Sequence, residues 1–335
     1  MRDTFAVADE AGWRGQLEAE GYAVVTGLVG GAAAAEALGQ MWGAVEALGS
    51  VRRARPDTWG QAMRWPPMLR GGEVPYLGHA PFLWRLRVAA AAFFARFYRV
   101  PVRGLASSFE GFCMMHGARN YQRGGDRVSH LRCDQGPHRR GLWSLQAALN
   151  LVDSGPGDGG VVVIPGSHLE HTRFFEASAV RAATRGDAYL LGEDEKAPYR
   201  DRARKVEAPA GALIVWDSRA LHCTAVPTRP GALGASAAVC MVPAAEVSPG
   251  VRALRERAFH SRRSTGHHPG EGFRVLPPVP RGLADRGAFL KTLEGLNRGL
   301  EEDPTVTALR CGLLGPARPP TDPGLGAPGP GLSPR

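Results

Sequence analysis

Gly211-Ala212-Leu213-Ile214-Val215-Trp216-Asp217-Ser218-Arg219-Ala220-Leu221-His222 is the stretch on which the fold turns. Ala212 to Trp216 form an apolar run opened by a glycine and closed by Asp-Ser. That is the length and punctuation of a buried strand. The same texture recurs on either side. Ser144 to Asn150 alternates, Gly159-Gly160 leads into Val161-Val-Val-Ile164 with Pro165-Gly166 after it, and Ala235 to Val242 reads as a further strand. From about residue 105 onward, short apolar runs alternate with Gly/Pro turns, which predicts an antiparallel β domain.

Upstream of that point the pattern is helical. Residues 8–20 read as a helix carrying Trp13 and Leu17, ended by Glu20-Gly21 and followed by a short strand, Tyr22 to Val25. Residues 31–48 are Ala-rich and predict a helix. Residues 51–80 are irregular, with Trp59 and Trp65 read as cap or core residues and a substrate lid as the alternative. Residues 81–98 place Phe82, Leu83, Leu86, Phe93, Phe94 and Phe97 near helical spacing. Residues 169–200 read as an insertion with helical pieces, and 283–301 as a late amphipathic helix. The division expected is one domain over residues 1–315, with a helical N-terminal region over residues 1–104, a β core over 105–245 and a C-terminal extension over 246–315. A Pro/Gly-rich tail, 316–335, is expected to be disordered.

The chain has 335 residues, of which 44% are hydrophobic, enough for one large core or two small ones. Its formal net charge is +9, yet only three of its 41 basic residues are lysines. The arginines are scattered rather than clustered with aromatics, so a nucleic-acid surface is not indicated. Skewed codon usage explains the arginines more simply, and an anionic small molecule suits the charge equally well. The five cysteines are odd in number and lack Cys-x-x-Cys spacing, so neither a disulfide framework nor a zinc knuckle is expected. Met1-Arg-Asp-Thr-Phe5 carries no apolar signal core, and no apolar run approaches the roughly 18 residues needed to span a membrane. A reducing, cytoplasmic setting without membrane contact is the expectation.

Three segments carry candidate chemistry: Ser129-His130-Leu131-Arg132-Cys133-Asp134-Gln135-Gly136-Pro137, Gly159 to His168, and Gly211 to His222. A mononuclear iron oxygenase needs two histidines and a carboxylate on one face of the metal, with positions left open for cosubstrate and dioxygen. On a β scaffold the first two ligands sit at i and i+2 of one strand, where side chains share a face. The second histidine comes from a distant strand folded alongside.

These segments resemble the phytanoyl-CoA dioxygenase-like family, and in particular a branch common in algae and large viruses. The family patterns are His-x-Asp-Gln, Gly-Gly-x-x-x-x-Pro-Gly-Ser-His and Trp-Asp-Ser-Arg-x-x-His. The chain matches the last two in full and the first in all but its histidine. Leu83-Trp-Arg-Leu-Arg87, Ser107-Ser-Phe-Glu-Gly111, Arg263-Ser-Thr-Gly-His267 and Leu313-Leu-Gly315 extend the match in order along the chain. The resemblance implies a mainly β (α+β) fold: a double-stranded β-helix (jelly roll, cupin-like) core with flanking N-terminal and C-terminal helices. It also implies Fe(II), 2-oxoglutarate and hydroxylation of an aliphatic C–H in a small-molecule substrate.

Carried over residue by residue, Asp134 matches the carboxylate ligand and His222 the distal histidine. The first histidine position holds Arg132, a degenerate metal motif, since a protonated guanidinium has no lone pair for a metal. A bidentate Arg132–Asp134 pair could fill the place of the missing cation. His130, about 13 Å from Asp134 along an extended strand, reaches the metal only if the strand bulges. For the far carboxylate of 2-oxoglutarate, Arg229 is the nearest candidate anchor, with Arg219 a second. Arg219, Arg263 and His267 are candidates for substrate or cofactor carboxylates, with structural pairing the equal alternative. His168 and Glu110 read as structural, and Cys133 and His138 as bystanders. Two functions stay open: an active oxygenase, and a catalytically inactive pseudo-oxygenase that keeps the barrel as a binding or scaffold module; a nucleic-acid-binding protein, from the charge alone, is a remote third.

Overall fold

The computed structural model describes residues 4–69, 72–117, 128–176, 180, 184, 186–229, 231–279, 283, 285–298 and 304–311. Leu313-Leu-Gly315 and the tail 316–335 lie outside the described residues. In chain order the elements begin with β1 (Thr4–Ala6), α1 (Glu10–Glu20), β2 (Tyr22–Thr26), α2 (Gly31–Leu48), β3 (Glu73–Val74), α3 (Pro81–Tyr98), β4 (Leu105–Ser107) and β5 (Phe112–His116). There follow β6 (Arg132–Cys133), β7 (Leu145–Asn150), β8 (Gly160–Val163), α4 (Ser167–Glu176), β9 (Tyr189–Leu190), α5 (Glu193–Lys196), β10 (Arg204–Lys205) and β11 (Leu213–Asp217). The last are β12 (His222–Ala225), β13 (Leu233–Pro243), α6 (Pro249–His260), α7 (Arg286–Leu296) and α8 (Pro304–Cys311).

Two sheets form the core. The large one runs β1-β2-β11-β7-β13-β5-β3, with β4 also paired to β13; the small one runs β10-β8-β12-β6-β9. Every described pairing is antiparallel except β1 with β2. Strand periodicity explains the layers, because successive side chains point to opposite faces. On β11, Leu213 and Val215 join the core beneath the helices, while Ile214 and Trp216 face the other sheet. On β8, Val161 and Val163 meet that same inter-sheet layer, while Val162, with Ile164 just past the strand, packs outward with Phe175 of α4. Both faces of β8 are therefore covered, which is why its sequence is continuously apolar rather than alternating.

Helices α1, α2 and α3 cover the outer face of the large sheet. α3 buries Phe82, Leu83, Leu86, Phe93 and Phe94, each contributing about 1.5–3 kcal/mol relative to exposure. Pro81 occupies its first turn, where a missing N–H costs nothing, and Arg99 ends it in the left-handed region. Trp65 is buried and stacks on His116, and Trp59 stacks on Trp42, so both tryptophans serve the core. Gly211, at φ +84°, enters β11 against the Val29 carbonyl, where a Cβ has no room.

Two segments differ from expectation. The late helix is shorter than 283–301: Asp285 caps α7 by accepting from the Ala288 N–H, and Asn297 closes it on the Leu293 carbonyl. The 169–200 insertion carries the helical pieces α4 and α5, but also β9, which pairs with β6 and extends the small sheet. Among the described residues no helix is long and apolar enough to cross a membrane.

Candidate functional site

The site forms where β6, β12, β7 and β11 approach one another. His222, the first residue of β12, lies directly opposite Arg132 of β6 in the antiparallel register. Asp134 follows β6 immediately, and its N–H donates to the Ser218 carbonyl in the turn after β11. The Asp-Gln-Gly stretch is fixed by Gln135, which is fully buried. Its Oε1 accepts from Ser218 Oγ and the Trp143 N–H, its Nε2 donates to the Gly141 carbonyl, and its own carbonyl accepts from His171. Those bonds set the direction in which Asp134 points.

The Asp134 carboxylate collects donors. Gln146 Nε2 donates to Oδ2 at 3.1 Å, and Trp216 Nε1 donates to Gln146 Oε1 at 2.7 Å, which leaves the amide one orientation. Arg132 Nε lies 3.4 Å from Oδ1. His222 Nε2 lies 3.2 Å from Oδ2 and His267 Nε2 lies 3.7 Å from it. Burial alone would raise this carboxyl's pKa, but the surrounding positive charge, led by the Arg132 guanidinium and including His267, outweighs it and holds Asp134 well below the usual range. Asp134 is therefore ionised and acceptor-only.

The two histidines differ in origin. His222 is buried, and its Nδ1 donates to the Ala220 carbonyl at 3.0 Å. A carbonyl can only accept, so Nδ1 carries the proton and Nε2 presents a lone pair toward Asp134. That buried Nε2 has no hydrogen-bond partner. Burial pushes the His222 pKa down despite the neighbouring carboxylate. His267 comes from the segment after α6, and its Nδ1 is paired with Glu110 Oε1. Burial would lower the His267 pKa, but Glu110 and Asp134 together lift it to about 9. Glu110 is itself buried, its Oε2 accepting from Ser108 Oγ and its carbonyl from Arg87.

Glu110, Arg132, Gln146, His222 and His267 line an interior cavity. Its walls are the small residues Ala147, Ala148, Val161 and Ala238, with Trp216, and Glu73 lines it as well. An adjoining, more open cavity shares Glu73, Glu110, Gln146 and His267 and reaches Asp134, Trp143 and Arg274. Burial, with Glu110 and Asp134 nearby, raises the Glu73 pKa although His267 opposes it.

Of the residues singled out in the sequence, the structure gathers Asp134, His222, Arg132, Glu110 and His267. It takes the others elsewhere. His130 precedes β6 rather than lying within an extended strand, and its ring nitrogens bond to Ser129 Oγ and Thr224 Oγ1. Arg229 is mostly exposed and paired with Asp158. Arg219 grips Asp217 at 2.6 Å and lines a separate cavity with Arg14 and His168. Neither arginine lines the cavity beside Asp134. His168 donates to the Glu18 carbonyl at the end of α1, and Arg263 to the Leu276 carbonyl, both structural bonds. Gln146 and Glu73 were missed. The signal for Gln146 was a polar residue on the inward face of an otherwise apolar strand.

Two facing sheets with a carboxylate and a histidine drawn from register-paired strands into the space between them define a double-stranded β-helix of the jelly-roll, cupin-like class, flanked by helices. Residues 119–226, which hold both Asp134 and His222, match the family model for phytanoyl-CoA dioxygenase (PhyH). A curated relative, Ava biosynthesis cluster protein O of Aspergillus versicolor, is 27% identical over 178 residues. That match covers 50% of this chain and 56% of the relative, so it takes in about half of the relative's length. Among solved structures, a hypothetical protein of Escherichia coli, JW0805, superposes with a TM-score of 0.50 at 12% identity, covering 87% of this chain and 85% of that one. The epimerase SnoN, solved with Fe3+, alpha ketoglutarate and nogalamycin RO, superposes with a TM-score of 0.46 at 18% identity, covering 82% and 98%.

Proposed function

We propose that this chain is an oxygenase of the PhyH kind that uses Fe(II) and 2-oxoglutarate to hydroxylate an aliphatic C–H of a small-molecule substrate. One observation carries the reading. The buried Nε2 of His222 faces the ionised Asp134 at 3.2 Å with no hydrogen-bond partner, a lone pair against a carboxylate. Two acceptors held at that distance are satisfied by a cation shared between them, a proton in the empty site and a metal ion in the loaded one. Asp134 and His222 would hold the metal. Bound iron supplies activation of dioxygen, with 2-oxoglutarate as co-reductant.

The chain's own residues do the positioning. The Ala220 carbonyl fixes the tautomer and tilt of His222, and Gln146, held by Trp216, fixes the carboxylate. Ala147, Ala148 and Ala238 leave room between the sheets for an apolar substrate segment. Arg132 is the guanidinium that lines this cavity, so a cosubstrate carboxylate placed there meets Arg132 rather than Arg229 or Arg219.

A second reading rests on Arg132. Its permanent charge lies 3.4 Å from Asp134, at the position opposite His222. If the guanidinium takes the metal's place, the chain is a pseudo-oxygenase that keeps its pocket for binding. Anaerobic calorimetry with Fe(II) or Mn(II), with and without 2-oxoglutarate, decides between them. Micromolar uptake of one equivalent, together with succinate formation in air, supports the enzyme. No uptake by the native chain, and uptake after Arg132→His, establishes the pseudo-oxygenase.

A further inference from the structure

We infer that His267, from outside the two sheets, is the third metal donor of this site and completes a two-histidine, one-carboxylate set with Asp134 and His222. The inference rests on the metal reading above and adds a ligand that the strand motifs do not contain.

The geometry centres on one atom. Asp134 Oδ2 is 3.2 Å from His222 Nε2 and 3.7 Å from His267 Nε2. Neighbouring donors at right angles on a first-row divalent ion, each about 2.1 Å from it, lie about 3 Å apart. The first spacing is already near that value, and the second reaches it by closing less than about 1 Å. Among the described residues no three His, Cys, Asp or Glu side chains are already drawn together as a metal site. His267 is the group that would close the remaining gap, a shift small enough to keep its Nδ1 on Glu110.

Both rings offer the same nitrogen. His222 Nδ1 is committed to the Ala220 carbonyl and His267 Nδ1 to Glu110 Oε1, so Nε2 is the nitrogen each ring has for the ion, which His267 offers by giving up its Nε2 proton to solvent as the metal binds. A carboxylate behind a histidine is the usual outer partner of a metal-bound imidazole. Glu110 is in turn held by Ser108 Oγ at 2.8 Å. The segment bearing His267 is also docked to the barrel in advance. Ser264 Oγ accepts from the Gly78 N–H at 3.0 Å, Thr265 Oγ1 accepts from the Phe109 N–H at 2.9 Å, and the Thr265 N–H donates to the Phe109 carbonyl at 3.1 Å.

Arg132 does not close the site. Its Nε approaches Oδ1, whereas both imidazoles face Oδ2. The carboxylate can therefore keep its guanidinium partner on one oxygen and bind a metal with the other. In this arrangement Arg132 neutralises Asp134 through Oδ1 and His267 takes over the donor role its position has lost.

The test is a Co(II) titration of the full chain under inert gas, followed by visible absorption, calorimetry and proton NMR of the paramagnetic complex. The native chain is expected to bind one equivalent and to show two strongly shifted imidazole N–H resonances, the Nδ1 protons of His222 and His267. His267→Ala and His267→Gln are expected to weaken Co(II) by more than about 100-fold, beyond the 10- to 100-fold typical of an outer partner. Glu110→Gln is expected to fall within that smaller range. If both His267 variants bind like the native chain while His222→Ala does not, or if native Co(II) protein shows one shifted N–H, His267 is not a ligand and the oxygenase reading stands without it. If the native chain takes up no Co(II) while Arg132→His does, both readings fall together. Circular dichroism of each variant confirms the fold, and the resonance count on native protein needs no variant.

Discussion

Replacing Gln146 with leucine deletes two hydrogen bonds from one buried side chain of similar volume. The bond to ionised Asp134 contributes about 1.5–3 kcal/mol and the bond from Trp216 about 1 kcal/mol. The Trp216 N–H is then buried without an acceptor, and the apolar leucine offsets some of the loss. A net destabilisation of about 3 kcal/mol follows, or roughly 4 °C in Tm for a chain of this length. Urea melts read it as a lower midpoint at unchanged m, because the surface exposed on unfolding is nearly the same. The effect has a pH signature. The folded pKa of Asp134 lies well below its ordinary value of 3.8, so its stabilising contribution is fully present above 3.8 and is lost as pH falls through the depressed value. The gap between native and Gln146→Leu should be constant from pH 5 to 7 and narrow under acid below about pH 4. A gap under about 0.5 kcal/mol, or one that does not narrow in acid, refutes the claim that Gln146 acts through the charged carboxylate.

Glu110→Gln removes the main support of the His267 imidazolium. Its pKa should fall from about 9 toward 6.5, read by NMR titration of the ring; because the folded value is raised, native stability from this pair is present below 6.5 and lost as pH rises through about 9. Gly211→Ala forces a Cβ toward the Val29 carbonyl at φ +84° and should cost more than about 2 kcal/mol in thermal unfolding. His168→Ala removes the bond to the Glu18 carbonyl and should lower stability by about 1 kcal/mol while leaving Co(II) affinity within twofold of native.

The regions of the fold that were legible are those where one physical signal runs long enough. α2 and α3 keep apolar spacing for 18 residues each, and β11 and β13 are marked by flanking turns. β1, β3, β9 and β10 are two or three residues long, too short to carry a period, and exist because a neighbour supplies the ladder. Pairing order is likewise not local: nothing in Tyr22 to Thr26 says that its partner is β11. In the site, Asp134 and His222 could be found because each sits inside a multi-residue motif. His267 was marked only as a candidate for a carboxylate contact. Its place beside Asp134 depends on the docking of Ser264 and Thr265 onto the barrel, which sequence spacing does not encode.

The interleaving of β2 between β1 and β11 has a consequence for how the molecule can be cut. A fragment spanning only 105–245 keeps Asp134 and His222, yet it strips β11 of one neighbour and uncovers Leu213 and Val215 at once. Such a piece presents a raw, greasy border to any other strand it meets, and self-association rather than a smaller working barrel is what it will yield. The N-terminal hundred residues are therefore a wall of the same vessel, and ligand studies belong on the undivided polypeptide.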